Sequence, residues 1–314
     1  MHRTLSAAGA FWLAAFTYFI WGFTFLASRI AQDYGTPFVL LFWRFALAFV
    51  LLNLLRLTGR FPVRLRGRRL WPVLLAGLFE PVLYFPCEQY GLKLTSTSFS
   101  GVMVALIPLC SLVYGAVFLH EKATWRQVVF SVLSVAGVIV LAVYATGIGA
   151  GSFLGFLILL GTVFAGAGYI VACRACSGSF TAFERTYITC GMGAAAFGVL
   201  SVLEHRHDLS AVVLPMTHAP FALAIVFLSV VASVLSYLAL NRALEVLPVA
   251  RTAALINFST VVSVLAGVLL LREPFGWVSA VASAAILVGI WGVQRFAAPS
   301  VPDTAETTEP LPPS

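Results

Sequence analysis

Apolar stretches of about twenty residues follow one another along this sequence almost without interruption, and each is long enough to cross roughly 30 Å of hydrocarbon. Only 10% of the 314 residues are charged, whereas a water-soluble domain carries roughly a quarter, so the chain is read as a membrane protein. Barrel strands would alternate apolar and polar residues, but segments such as Trp125–Tyr144 and Phe153–Ala172 are apolar all round. Helices satisfy their own backbone in lipid. The expected fold is therefore an all-α membrane protein with ten transmembrane helices, at 8–30, 36–57, 70–92, 97–119, 124–145, 151–172, 180–203, 217–240, 249–271 and 274–296.

Lys and Arg set the orientation, because positive loops stay on the cytoplasmic side. With the amino terminus inside, the cytoplasmic connections hold fourteen of the nineteen Lys and Arg residues, six of them between Arg56 and Arg69. The opposite connections hold Arg29, Lys93, Arg206 and Arg272, and Arg44 lies inside the second span. Both termini are thus expected in the cytoplasm of a plasma-membrane protein. The net charge of +7 is accounted for by this partition, and no nucleic-acid partner is expected. The Arg56–Arg69 run is expected to touch anionic lipid headgroups.

The first apolar run has no small-residue cleavage pattern and is expected to remain in the protein. The tail 297–314, rich in proline and acidic residues, is expected to be disordered and cytoplasmic. The five cysteines lie in or beside spans, where buried apolar thiols are the plain expectation. The Cys173/Cys176 pair lacks neighbouring ligands for a metal. No metal and no cofactor is expected.

A shift of 152 residues, without gaps, brings Ser111, Gly115, Leu119, Glu121, Trp125, Val129, Ser131 and Gly137 onto Ser263, Gly267, Leu271, Glu273, Trp277, Val281, Ser283 and Gly289. Leu and Val matches arise easily in apolar sequence, so the weight rests on Glu and Trp. Five spans per unit is an odd number, so the second unit would enter the membrane from the opposite side, an arrangement typical of secondary transporters. The units are placed at 8–145 and 151–296.

Several motifs, taken in order, carry a family resemblance: Trp21-Gly22-Phe23-Thr24-Phe25, Arg44, Gly91-Leu92-Lys93-Leu94-Thr95-Ser96, Ala105-Leu106-Ile107-Pro108, and the endings Phe118-Leu119-His120-Glu121-Lys122 and Leu270-Leu271-Arg272-Glu273-Pro274. Over about residues 8–296 the chain resembles the ten-span group of the drug/metabolite transporter superfamily that is built from two inverted five-helix EamA repeats. The resemblance implies secondary-active transport of small organic solutes, most often export of amino acids, other metabolites or drugs, by alternating access and without ATP hydrolysis. It does not name the substrate. Thr260 stands where Pro108 stands in the first repeat, and Ala232 where Glu80 stands, which implies that the halves contribute unequally.

A charge near the bilayer centre costs about 2.5–3.5 kcal/mol on insertion scales, so polar groups at depth need a partner or a task. Glu80 lies about 15 Å into the third span. Glu80, Tyr84 and Glu88 share one helix side, with Pro81 and Pro86 expected to bend that helix. Glu80 is the candidate site for a proton or a substrate amine; the alternative is a protonated side chain that serves packing alone. Arg44 is placed at the depth of Glu88, either as its ion-pair partner or as a contact for a substrate carboxylate. Trp21, Tyr169 and Tyr237 are candidate aromatic walls, and Asn257 is a candidate polar group. Trp43, Tyr18, Tyr114 and Trp291 are weaker aromatic candidates.

The partners expected are a small organic solute, a proton as coupling ion, and the lipid bilayer, with a homodimer as the candidate assembly. An enzyme is not expected, because His205, His207 and Asp208 lack catalytic or metal-binding spacing. A membrane-embedded enzyme and a channel remain the competing readings.

Overall fold

A computed structural model describes residues 6–107, 109–110, 113–114, 124–147, 152–176, 179–244 and 256–296. Among them there is helix and turn but no strand. Pro108, Glu121 and the proline-rich tail lie outside the described residues, as do the side chains of Cys173, Cys176 and Asn257.

The chain begins with α1 (Ala7–Gly22) and α2 (Thr24–Gln32), which follow one another across a break at Phe23. Next come α3 (Pro37–Leu57), then α4 (Trp71–Gly77) and α5 (Tyr84–Leu94), joined through a distorted turn at Leu78–Leu83. Then follow α6 (Thr97–Val104), α7 (Trp125–Gly147), α8 (Phe153–Cys176) and α9 (Ala182–Glu204). The last elements are α10 (Ala219–Val226), a widened helical turn at Phe227–Leu235, α11 (Ser236–Leu244), α12 (Ile256–Leu270) and α13 (Trp277–Arg295). Among the described residues, four helical segments are long and apolar enough to cross a membrane: Ala8–Gln32, Pro37–Leu57, Ala182–Glu204 and Ala219–Leu240. Shorter apolar helices lie at Trp125–Leu141, Phe153–Tyr169, Ser259–Leu270 and Trp277–Val293.

Local sequence explains where these helices start. Ser6 and Ser96 accept hydrogen bonds from the amides of Gly9 and Phe99, capping α1 and α6, and Pro37 occupies the first turn of α3, where a missing N–H costs nothing. Thr181 and Glu184 cap α9 reciprocally. Glu184 also accepts from the Arg64 amide at 2.9 Å and pairs with the Arg68 guanidinium at 3.0 Å. The basic run expected to lie on lipid headgroups is therefore partly folded back: Arg68 holds the start of α9, and Arg56 donates to the Tyr187 hydroxyl.

Polarity is inverted relative to a soluble domain. Leu57, Leu223, Leu269, Trp125 and Trp277 are at least 70% exposed, while Arg44, Glu88, Gln89, Ser229 and Ser233 are at most 5% exposed. An apolar exterior, with a set of charged and polar groups enclosed in an otherwise apolar core, matches a hydrocarbon solvent.

Packing relates the two halves. Thr124 Oγ1 donates to the Phe296 carbonyl, Gln127 Nε2 to Val293 and Ser134 Oγ to Ile286, so numbering falls along α13 as it rises along α7 and the two helices are antiparallel. Ser134 and Ile286 are 152 positions apart, the same offset as the sequence repeat, and they meet across this interface. Gly289 permits the approach, since a Cβ there would lie 2.7 Å from the Phe130 carbonyl oxygen. Helices α3 and α9 are also antiparallel: Thr36 bonds Glu204, Phe45 packs on Phe197, and Asn53 accepts from Tyr187. So are α6 and α12, through Ser263 to the Thr97 carbonyl and Thr260 to the Gly101 carbonyl.

Candidate functional site

The helix α4–α5 breaks at Glu80, whose backbone leaves helical geometry at φ −139°, ψ 111°. Pro81 accounts for the break, because it has no N–H and restricts the residue before it to extended conformations. Pro86 causes no second break. The helix runs through it from Tyr84 to Leu94. A 152-residue shift carries Leu78–Leu83 into the widened turn Phe227–Leu235, so distorted turns occupy matching places in the two halves.

The second turn exposes carbonyls that other helices use. Trp21 Nε1 donates to the Ala232 carbonyl at 2.9 Å and Thr17 Oγ1 to the Ser236 carbonyl at 3.3 Å. Ser233 and Ser236 satisfy the Leu228 and Val231 carbonyls, five residues back, at 2.8 Å each. A wide turn with re-satisfied carbonyls is the form that irregular backbone takes at membrane depth.

The two turns meet at Glu80. Tyr237, from α11, donates its hydroxyl hydrogen to Glu80 Oε1. Trp21 packs on Tyr237 with ring centres 5.2 Å apart, and Tyr18 on Trp21 at 5.4 Å. Tyr169 lies near enough to Tyr237 to act on it electrostatically. Glu80 is of intermediate exposure as a residue, with its carboxyl held against the Tyr237 hydroxyl.

Arg44, 3% exposed, lies among the same groups. Its guanidinium stacks 4.4 Å from the Phe85 ring and donates through Nε to Ser233 Oγ at 3.2 Å. Nη1 is buried without a hydrogen-bond partner among the described residues. Arg44 acts electrostatically on both Glu80 and Glu88, but the expected Arg44–Glu88 contact pair does not form. Among the described residues no salt bridge to Arg44 is present, because stacking on Phe85 and the bond to Ser233 direct its donors elsewhere. Glu88 Oε2 instead accepts from Gln89 Nε2 at 3.0 Å, and the Tyr84 hydroxyl is a further partner. Gln89 also donates to Ser28 Oγ and accepts from Gln32, linking α5 to α2.

Glu80, Tyr84, Glu88, Arg44, Trp21, Tyr169 and Tyr237 are thus brought into one region, while Asn257 carries no described side chain. Of the other aromatic candidates Tyr18 joins this region through Trp21, whereas Trp43 donates to the Val212 carbonyl and Trp291 is 55% exposed on the outside of the bundle. Sequence reading passed over Ser233, Gln89 and the Ala232 carbonyl. Three serines at 229, 233 and 236 inside an apolar span were the available signal. The carbonyl had none, since only the widened turn frees it.

A helical bundle with several long apolar helices, an apolar exterior and a few charges enclosed in its core is a multi-pass membrane protein. The sequence pattern of the EamA-like transporter family matches it twice, over residues 8–143 and 153–295. The chain belongs to the EamA-like transporter family, and so to the drug/metabolite transporter superfamily. It is 31% identical over 285 residues to the uncharacterized transporter YcxC of Bacillus subtilis, covering 90% of this chain and 91% of that one. It is 26% identical over 284 residues to an uncharacterized transporter of Archaeoglobus fulgidus, covering 90% and 97%. A solved structure described only as the crystal structure of a protein superposes with a TM-score of 0.62 at 20% identity, over 91% of this chain and 96% of that one. That likeness shows a shared fold.

Proposed function

We propose that the protein is a secondary-active exporter of small organic solutes, working by alternating access, with Glu80 as the group that takes up a proton or a substrate ammonium. The reading includes ten spans in two inverted five-helix repeats, 8–145 and 151–296, with both termini on the cytoplasmic side of the plasma membrane. Antiparallel packing of the helices at matching places in the two repeats, α7 on α13 and α6 on α12, supports the inversion.

Charge balance at the centre carries the coupling. Arg44 is a single guanidinium set beside two carboxyls, Glu80 and Glu88. A net negative charge in a dry site is costly, so with Glu88 ionised against Arg44, Glu80 needs a further positive charge. A proton or an ammonium group supplies it. Glu80 belongs to the first repeat and its hydrogen-bond donor Tyr237 to the second, so relative movement of the halves changes the environment of the carboxyl. Water on one side and burial on the other then bias uptake and release.

The test is flux in proteoliposomes under an imposed proton gradient, with a panel of amino acids, amines and common drugs. Saturable flux that responds to the gradient and shows counterflow is expected for at least one class. Failure across the panel, or flux without saturation, contradicts a coupled carrier and favours a pore.

A further inference from the structure

Glu273 lies in the short connection between α12 and α13, yet its carboxylate belongs structurally to the other repeat. Oε1 accepts from the Thr97 amide at 2.6 Å, and Oε2 accepts from the Ser98 amide at 2.9 Å and the Ser98 hydroxyl at 2.7 Å. These donors form the first turn of α6, where amides have no helical partner and the helix dipole favours an anion. The connection is shaped for this contact. Arg272 takes the left-handed region at φ 55°, and the Glu273 amide returns to the Gly267 carbonyl at 3.1 Å. A side chain at Gly267 would fall in the space of the Glu273 carboxylate and the Ser98 hydroxyl.

The rest of the α6–α12 interface is built differently. Beyond the carboxylate, Gly101 lies against Ser263, and single hydroxyl-to-carbonyl bonds run from Ser98, Thr260 and Ser263 at 3.2–3.4 Å. By contrast, large aromatic side chains lock α3 to α9, with Phe45 on Phe197 and Phe49 on Tyr187. The α6–α12 pair lacks the aromatic packing that joins α3 to α9, and Glu273 closes one end of it with charge-assisted hydrogen bonds.

We propose that Glu273, with Thr97 and Ser98, is a releasable latch that holds the two repeats together at the outer end of the pathway and biases the protein toward the state closed to the outside. The proposal rests on the alternating-access reading. In the cycle the latch must open to admit the outside to Glu80, and re-form to seal it.

Two changes break the latch by different means. Glu273→Gln removes the charge and keeps the shape, and Gly267→Ala keeps the charge and fills its seat. Each is made in a cysteine-free protein with Tyr237→Cys, at a partly exposed position beside Glu80, as reporter of access. Labelling rates with a membrane-impermeant maleimide are measured in right-side-out and inside-out vesicles, and size-exclusion profiles establish that the variants fold. Ser98→Ala, which removes only one of three bonds, is the milder variant.

The latch predicts that Glu273→Gln and Gly267→Ala raise outside labelling at least about tenfold, with a smaller fall from the inside, and that Ser98→Ala shifts both in the same sense by less. A rise from both sides means a loosened bundle and overturns the latch, as does unchanged labelling in folded variants. Equal rapid labelling from both faces before Glu273 is touched would mean an open pore, which removes the alternating-access reading and the latch with it.

Discussion

Glu80→Gln is expected to abolish proton-gradient-driven flux, reducing it to the leak of protein-free vesicles, while the protein still expresses and inserts. Glutamine is nearly isosteric and its amide oxygen can still accept from Tyr237, so the packing around the break at Pro81 is retained. It cannot alternate between neutral and charged forms. A site that has lost that alternation no longer couples solute movement to protons, and it no longer offers a counter-charge to a substrate ammonium. Tyr237→Phe is the informative companion. It removes the hydroxyl but leaves the carboxyl, so flux should fall severalfold and still follow the gradient. Flux in Glu80→Gln equal to that of the parent protein would take Glu80 out of the mechanism and leave it a packing residue.

Arg44 should show the largest effect on stability. Arg44→Ala removes the guanidinium whose charge acts on Glu88 and Glu80, the stack on Phe85 and the bond to Ser233. Removing the guanidinium takes away the cation nearest to two carboxyls in a dry site, where an uncompensated charge is costly. The melting temperature in detergent should drop markedly and yield should fall with it. Pairing Arg44→Ala with Glu88→Gln removes the stranded charge, so much of the stability should return without any return of transport. Arg44→Lys keeps the charge but loses the planar stack and the Nε donor, and is expected to fold with impaired flux. A melting temperature unchanged in Arg44→Ala would show that the cation does not compensate the carboxyls.

Much of this could be read from the chain because lipid leaves few solutions. The long apolar runs fix helices, and the helix limits fall near the expected ones for α3, α7, α9 and α13. The Glu121/Glu273 and Trp125/Trp277 matches exposed the 152-residue repeat, and the contact of Ser134 with Ile286 gives that offset a place in space. Glu80, Tyr84 and Glu88 stood out since charge at depth is costly. Pairings were not legible. Arg44 and Glu88 share a depth, but depth says nothing of azimuth, and the guanidinium turns to Phe85 and Ser233. Hydropathy likewise gives no sign that the first apolar run breaks at Phe23, or that a turn without proline at Phe227–Leu235 widens to present the Ala232 carbonyl. Glu273 was noted for its spacing alone, and its bonds to Thr97 and Ser98 became visible only once α6 and α12 were placed side by side.

The most direct test of the central claim, that two inverted repeats enclose the site, compares matching points of the repeats by side of the membrane. Arg126, at the start of α7, and Pro274, just before α13, are both exposed and lie near matching positions. Single cysteines at these places in a cysteine-free protein are treated with an impermeant maleimide in intact cells and again after permeabilisation. The account predicts that Pro274→Cys is labelled in intact cells and Arg126→Cys only after permeabilisation. Labelling of both from the same side would mean that the repeats enter the membrane in parallel, and would contradict it.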